Sequence, residues 1–244
     1  MSFRIIKTTN HDAYMNMALD EACMQSVKEG QMPTIRLFGW DKPSVTIGCF
    51  QCLSDEVDIK AIKEDGVPIT RRITGGGAVY HDQEITYSLV APEKLFSKDI
   101  PTSYGQVIKP ILKALHKLGI KAKFRPLNDL VYEGKKISGN AQTRKGGVLL
   151  QHGTIILSVD EDKMFRYLTP DANKNNDKPY IKSNRSSVRG ILNDELTAQQ
   201  VLDAVRNELI SSLQATQGSW SDDEIKTARE LAKKYRSDEW IALR

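Results

Sequence analysis

Cysteine is scarce in this chain: Cys23, Cys49 and Cys52 are the only three among 244 residues. They are too few, and odd in number, for a disulfide framework, so reduced thiols in a reducing compartment are expected. An excess of one charge is also lacking. With 35 Lys and Arg against 31 Asp and Glu, the net +4 falls short of the basic stripe of a dedicated nucleic-acid binder. No apolar run approaches the roughly 18–20 residues that cross a bilayer, and Met1 to Tyr14 has neither the basic start nor the apolar core of a signal peptide. The expectation is a cytoplasmic protein with neither a membrane nor a nucleic-acid partner. Internal repeats and Gly/Ser linkers are absent too, which excludes solenoids and beaded domains. The chain is long enough to bury its own core.

What is present is helices in blocks and strands joined by short turns. Apolar residues recur at helical spacing from Asp12 to Lys28 and, most clearly, from Ser103 to Leu118, with Gly30 and Gly119 as stops. Short strands are expected at 34–38, 45–47, 69–73, 84–90, at Phe124, and at 130–132, 148–150 and 154–157, and helices at 57–62, 161–168, 195–213 and 222–235. This pattern predicts an α+β fold with bent, mixed, mainly antiparallel sheets flanked by helices. Residues 1–244 read as a single domain whose last part, from about 190, is a helical flank.

The segment Arg71-Arg72-Ile73-Thr74-Gly75-Gly76-Gly77-Ala78-Val79-Tyr80-His81-Asp82 carries the strongest chemical signal. Three glycines contribute no packing, so between strands they mark either a plain turn or a backbone that approaches a ligand. The two guanidiniums beside them suit phosphate or carboxylate. A second group is Asn128-Asp129 followed by Lys135-Lys136-Ile137-Ser138-Gly139-Asn140-Ala141-Gln142. Asp129 suits a hydrated magnesium and the lysine a developing oxyanion, although a Gly-Lys-Lys hairpin tip is the plainer reading. His152, inside an apolar strand, reads first as a satisfied core histidine. Dinucleotide-binding and P-loop glycine motifs are incomplete. Cys49 and Cys52 have CxxC spacing without further ligands, so ordinary thiols are the expectation.

Together, the Arg-Arg-x-x-Gly-Gly-Gly-x-Val-Tyr-His-Asp block and the Asn-Asp-Leu…Lys-Ile-Ser-Gly-x-Ala-Gln…His-Gly block resemble the lipoate–protein ligase and octanoyltransferase family. Asn16 to Ala22, Ile35 to Trp40, Ile47 to Gln51 and Lys234 to Trp240 extend the likeness over nearly the whole chain. The resemblance implies the catalytic fold shared with biotin–protein ligases and a fatty-acyl pocket. It implies Lys136 as the catalytic lysine and Asp129 as magnesium ligand. Arg72, Gly75, Gly76, Gly77, His81, Asn128, Ser138, Gly139, Ala141 and His152 would contact substrate and adenylate.

In that family a ligase uses ATP and magnesium to turn lipoic acid into lipoyl-AMP, then passes the lipoyl group to a lysine. The implied acceptors are the lipoyl domains of 2-oxoacid dehydrogenase acyltransferase subunits and the glycine cleavage H protein. Octanoyltransferases instead carry a cysteine near the lysine, and no cysteine follows Cys52 here. The chain therefore reads as an ATP-dependent ligase, with an ATP-independent octanoyl or lipoyl transferase using Cys49, or a non-catalytic lipoyl-binding protein, as alternatives. Longer ligases carry a small C-terminal domain that is missing here, which resembles the catalytic subunit of two-part ligases and implies a separate accessory subunit.

Overall fold

The computed structural model describes residues 2–158, 160–169 and 196–244. Helix α1 (Ala13–Lys28) starts where the Asp12 carboxylate accepts from Met15 N at 2.7 Å and stops before Gly30, whose φ is +99°. Helix α4 (Ile100–Lys117) is capped by Asp99 and followed by Gly119 at φ +82°. Between them lie the short helices α2 (Leu53–Glu56) and α3 (Ile59–Glu64). These replace the expected helix at 57–62, because the Asp58 carboxylate caps a new start by accepting from Ala61 N. Helix α5 (Glu161–Tyr167) follows the strands. Helix α6 (Ala198–Leu213) begins at a Thr197/Gln200 capping box, and residue 195 lies outside the described residues. Helices α7 (Asp222–Arg236) and α8 (Asp238–Ile241) come last. None of the described helices is long and apolar enough to cross a membrane.

The strands are β1 (Arg4–Ile6), β2 (Thr34–Phe38), β3 (Ser44–Ile47), β4 (Ile69–Arg71), β5 (Val79–His81), β6 (Glu84–Pro92), β7 (Lys123–Arg125), β8 (Asp129–Tyr132), β9 (Lys135–Lys145), β10 (Val148–Ile156) and β11 (Thr216–Gly218). Eight form one sheet in the order β11-β1-β2-β6-β10-β9-β8-β7, and β4-β3-β5 form a smaller one. Strand β1 runs parallel to β2 and β11, while the large sheet is antiparallel from β2 onward. This is the mixed, mainly antiparallel α+β architecture expected from the sequence.

The period of two along each strand divides the large sheet into unlike faces. One face presents Ile35, Leu37, Ile85, Tyr87, Leu89, Leu149 and Ile155 to Val107, Ile111 and Leu115 of α4 and Val201, Val205 and Leu209 of α6, forming the main core. The opposite face packs Val90, Val148 and Leu150 against Cys23, Met24 and Val27 of α1 at one end and is polar at the other, where Arg36 pairs with Ser88, Ser88 with His152 and His152 with Ala141, while Thr86 lies between Phe38 and Thr154. Unbroken pairing of Val148–Ile156 with Glu84–Pro92 makes β10 a single strand where two were expected. The turn before β9 falls at Glu133 and Gly134, at φ +48° and +78°, so Lys135 and Lys136 are strand residues and not a hairpin tip. Strands β1, β5, β9 and β11 lie outside the expected set. The last supplies a strand within the expected helical flank.

Candidate active site

The polar face of the large sheet, the small sheet and the glycine segment enclose a pocket of about 410 Å³. Arg72, Gly76, Gly77, His81, Asn128, Lys136, Gly139, Ala141 and His152 all line it. Gly75, Ser138 and Asp129 are not among the lining residues. Gly75 meets the exposed Phe50 ring, and Ser138 is fully buried beside Asn140.

Lys136 is placed by its strand neighbours. Its Nζ lies 2.6 Å from Asp129 Oδ1, and a Cβ at residue 139 would sit 2.9 Å from Lys136 Cε and Nζ, so the ammonium occupies space that only glycine leaves open. Arg125 Nη2 stands 2.7 Å from the other oxygen of the same carboxylate. A hard dication needs several oxygen donors, but both oxygens of Asp129 face cations. Among the described residues no three His, Cys, Asp or Glu gather as a metal site. The residues present do not fit the magnesium expected at Asp129.

Arg72 holds the glycine segment. Its Nη2 donates to Gly75 O at 2.8 Å and Gly77 O at 2.7 Å, and its Nη1 to Thr46 O and Oγ1 at 3.2 Å. Burial pushes the guanidinium down to about 10, so it remains charged at neutral pH. A Cβ at Gly48 would stand 2.1 Å from Gly76 O, which makes residue 48 a glycine by contact. Arg71 has another task. It is fully buried and donates to the carbonyls of Gly48, Cys49, Gln51, Trp240 and Ile241, joining the C-terminal helix to the back of the loop.

Both histidines are bonded through both ring nitrogens. His81 lies between Glu84 Oε1 and Thr46 Oγ1, each at 2.8 Å. His152 lies between Asp20 Oδ2 at 2.9 Å and Thr74 Oγ1 at 2.7 Å. Burial raises the Asp20 carboxyl, but Arg36 at 2.6 Å and His152 more than offset this and hold it below the usual carboxylate range. Asn128 Nδ2 donates to Asn140 O at 2.5 Å, and Asn140 Nδ2 returns a bond to Asn128 O at 2.8 Å.

Sequence reasoning missed Met17, Trp40, Thr46, Glu84, Asn140 and Thr154 in the pocket wall. Met17 and Trp40 fall in segments that carried the family likeness without an assigned role. None of the three cysteines lines the pocket. Burial raises Cys23 to about 12 and also raises Cys49, with Arg72 partly opposing in the second case. Neither is an activated thiol.

Residues 12–210 match the family described as lipoyl protein ligase A/B catalytic domain. The octanoyltransferase LipM of Kyrpidia tusciae is 34% identical over 268 residues, spanning 98% of this chain and 98% of that protein. The octanoyltransferase LipM of Staphylococcus aureus is 32% identical over 274 residues with the same coverage of both. Among solved structures, the chain overlays a chain from an archaeal lipoylation system of Thermoplasma acidophilum, described as a bi-partite lipoate protein ligase and its E2 lipoyl domain. The TM-score is 0.86 at 29% identity, covering 99% of this chain and 96% of the other. A lipoate-protein ligase A bound with ATP overlays at a TM-score of 0.86, 28% identity and full coverage of both chains.

The octanoyltransferase relatives, 34% and 32% identical against 28% for the ATP-bound ligase, overturn the ATP-dependent ligation expected from the sequence. That expectation rested on a missing cysteine. A cysteine supplies one route to acyl transfer, and its absence leaves direct attack on an already activated donor. By sequence match, by relatives of equal length and by fold, the chain belongs to the lipoyl protein ligase A/B catalytic domain family.

Proposed function

We propose that this chain transfers an octanoyl group, without ATP, from an acyl thioester to a lysine of a lipoyl-domain protein. The observation that carries this reading is Lys136, its ammonium set over Gly139 at the wall of a chamber that no cysteine lines. A thioester arrives activated, so neither adenylate nor magnesium is needed. The acceptor amine attacks the thioester carbonyl, a C–N bond forms, the C–S bond breaks, and the proton lost by nitrogen leaves with the thiolate. Negative charge gathers on the carbonyl oxygen during attack. A fixed ammonium stabilises that charge without reorganising, as in an oxyanion hole. Arg72 holds the glycine segment that closes the chamber, and excluding water protects the thioester from hydrolysis.

Acceptors with the acidic surface usual for lipoyl domains suit the mild positive charge of the chain. The accessory subunit expected from two-part ligases is an addition to test, because the octanoyltransferase relatives are matched over 98% of their own length.

Incubation of the purified chain with an octanoyl thioester and an apo lipoyl domain, without ATP and with or without an accessory ligase subunit, tests the reading by mass spectrometry of the domain. One added octanoyl group is expected in both mixtures. Modification only when ATP and free acid are supplied would refute it.

A further inference from the structure

Glu84 has no part in the reaction above, yet three donors converge on it. Its Oε1 accepts from Trp40 Nε1 at 3.0 Å, Thr86 Oγ1 at 2.7 Å and His81 Nδ1 at 2.8 Å. The side chain is buried, and His81 is its ion-pair partner among the described residues. Burying a carboxylate is expensive, so a site that keeps one has a use for its geometry.

That geometry concerns two rings. Trp40 and His81 stack with centroids 3.8 Å apart and planes 18° from parallel, and both line the pocket. Each ring places its N–H on the same oxygen of Glu84, so neither turns without breaking a bond. The far side of His81 is also fixed. Glu84 Oε1 only accepts, so His81 Nδ1 carries the proton that faces it, while Nε2 meets Thr46 Oγ1, a hydroxyl that Arg72 Nη1 also holds.

The pocket has an exposed end and a buried one. Lys136, Asn128 and Leu127, the last 70% exposed, mark the former, while the buried Met17 and Trp40 mark the latter. Between them the sheet runs from Gly139, whose N meets Thr154 Oγ1, to Thr86, which pairs with Thr154 and meets the Trp40 indole. That crosses two strand spacings, about 10 Å, the order of an extended eight-carbon chain. A chain with its carbonyl at Lys136 therefore ends against the Trp40–His81 pair.

We infer that Glu84 is a specificity-determining residue that sets the longest acyl chain accepted, by holding Trp40 and His81 as a fixed end wall. The inference rests on the acyl-transfer reading for the position of the carbonyl, but chamber depth can also be read from binding alone.

Glu84→Leu removes the shared acceptor at similar volume. The altered and unaltered chains are compared with hexanoyl to dodecanoyl thioesters, and by calorimetric titration with the matching free fatty acids. The dodecanoyl-to-octanoyl ratio of kcat/KM, and of affinity, is expected to rise about tenfold in Glu84→Leu, as Trp40 gains freedom to turn. Glu84→Gln, which keeps the shape and one acceptor oxygen, should fall between. A general loss of activity cancels in these ratios, whereas a changed end wall does not. An unchanged ratio in folded Glu84→Leu overturns the inference. If that variant does not fold, an unchanged ratio in Glu84→Gln does so. A chain that binds the graded acids yet transfers none would refute acyl transfer and still leave the length ratios readable.

Discussion

Residue 139 has no side chain, and Lys136 fills the space this leaves, its charge held by an aspartate that Arg125 also grips. Two predictions belong here. Lys136→Ala should lower the rate of transfer about a hundredfold while circular dichroism and the melting temperature stay near those of the unaltered chain. A folded variant with near-normal transfer would remove Lys136 from the mechanism. Thiols, by contrast, should be dispensable. With Cys23→Ala, Cys49→Ser and Cys52→Ser combined, the folded protein should transfer at close to its original rate, and no acyl-enzyme should be found by intact mass. An acylated cysteine lost on Cys49→Ser alone would restore the covalent route.

At the scale of elements, the C-terminal helix is joined to the loop that carries the glycines. Arg71 binds five carbonyl oxygens and, among the described residues, no carboxylate; Trp240 Nε1 donates to Arg71 O at 2.8 Å, and Thr70 Oγ1 donates to Tyr235 O at 2.7 Å. Arg71→Ala should destabilise the fold by about 3 kcal/mol or more, because it strands buried acceptors. Urea unfolding measures this, and a loss under 1 kcal/mol would mean that water replaces the guanidinium at little cost. The same elements show what the sequence made legible. The periodicity of α1 and α4 and the alternation in β6 are local, so they could be read in advance. So could Lys136 and Arg72, which stand in contiguous motifs. Glu84, Trp40 and Asp20 acquire meaning only through partners brought close by folding, such as Asp20 and His152, 132 residues apart. Arg71 and Arg72 are neighbours of identical type, and only their successive positions at the end of β4 send one to the C-terminal helix and the other to the pocket.

For the whole molecule, acid should be the weak direction. Asp20, held down by Arg36 and His152 against burial, and Glu224, held down by Arg4, Ser221 and Ser26 against burial, both lie below the usual carboxylate range when folded. The unfolded chain therefore binds more protons in acid. The contribution of these groups is complete above their unfolded values of about 4 and is lost as pH falls below them. Urea midpoints from pH 7 down to pH 3 should drop steeply over the last unit, and Asp20→Asn should flatten part of that slope. Equal slopes in the two proteins would place the acid sensitivity elsewhere.

The parallel pairing of β1 with both β2 and β11 bears on when the molecule is finished. Arg4 lies beside Thr34 on one side and Thr216 on the other, and its guanidinium meets Glu224. A ribosome that has released the first two hundred residues has delivered every residue named in the pocket wall. The strand at the start of the chain still lacks one neighbour, and α1 still lacks the Lys234 and Tyr235 bonds to Glu21. Contacts this distant in sequence form late, so the pocket should gain its final rigidity only once residues 216 to 235 have emerged, with a strand made early waiting for partners some two hundred residues behind it.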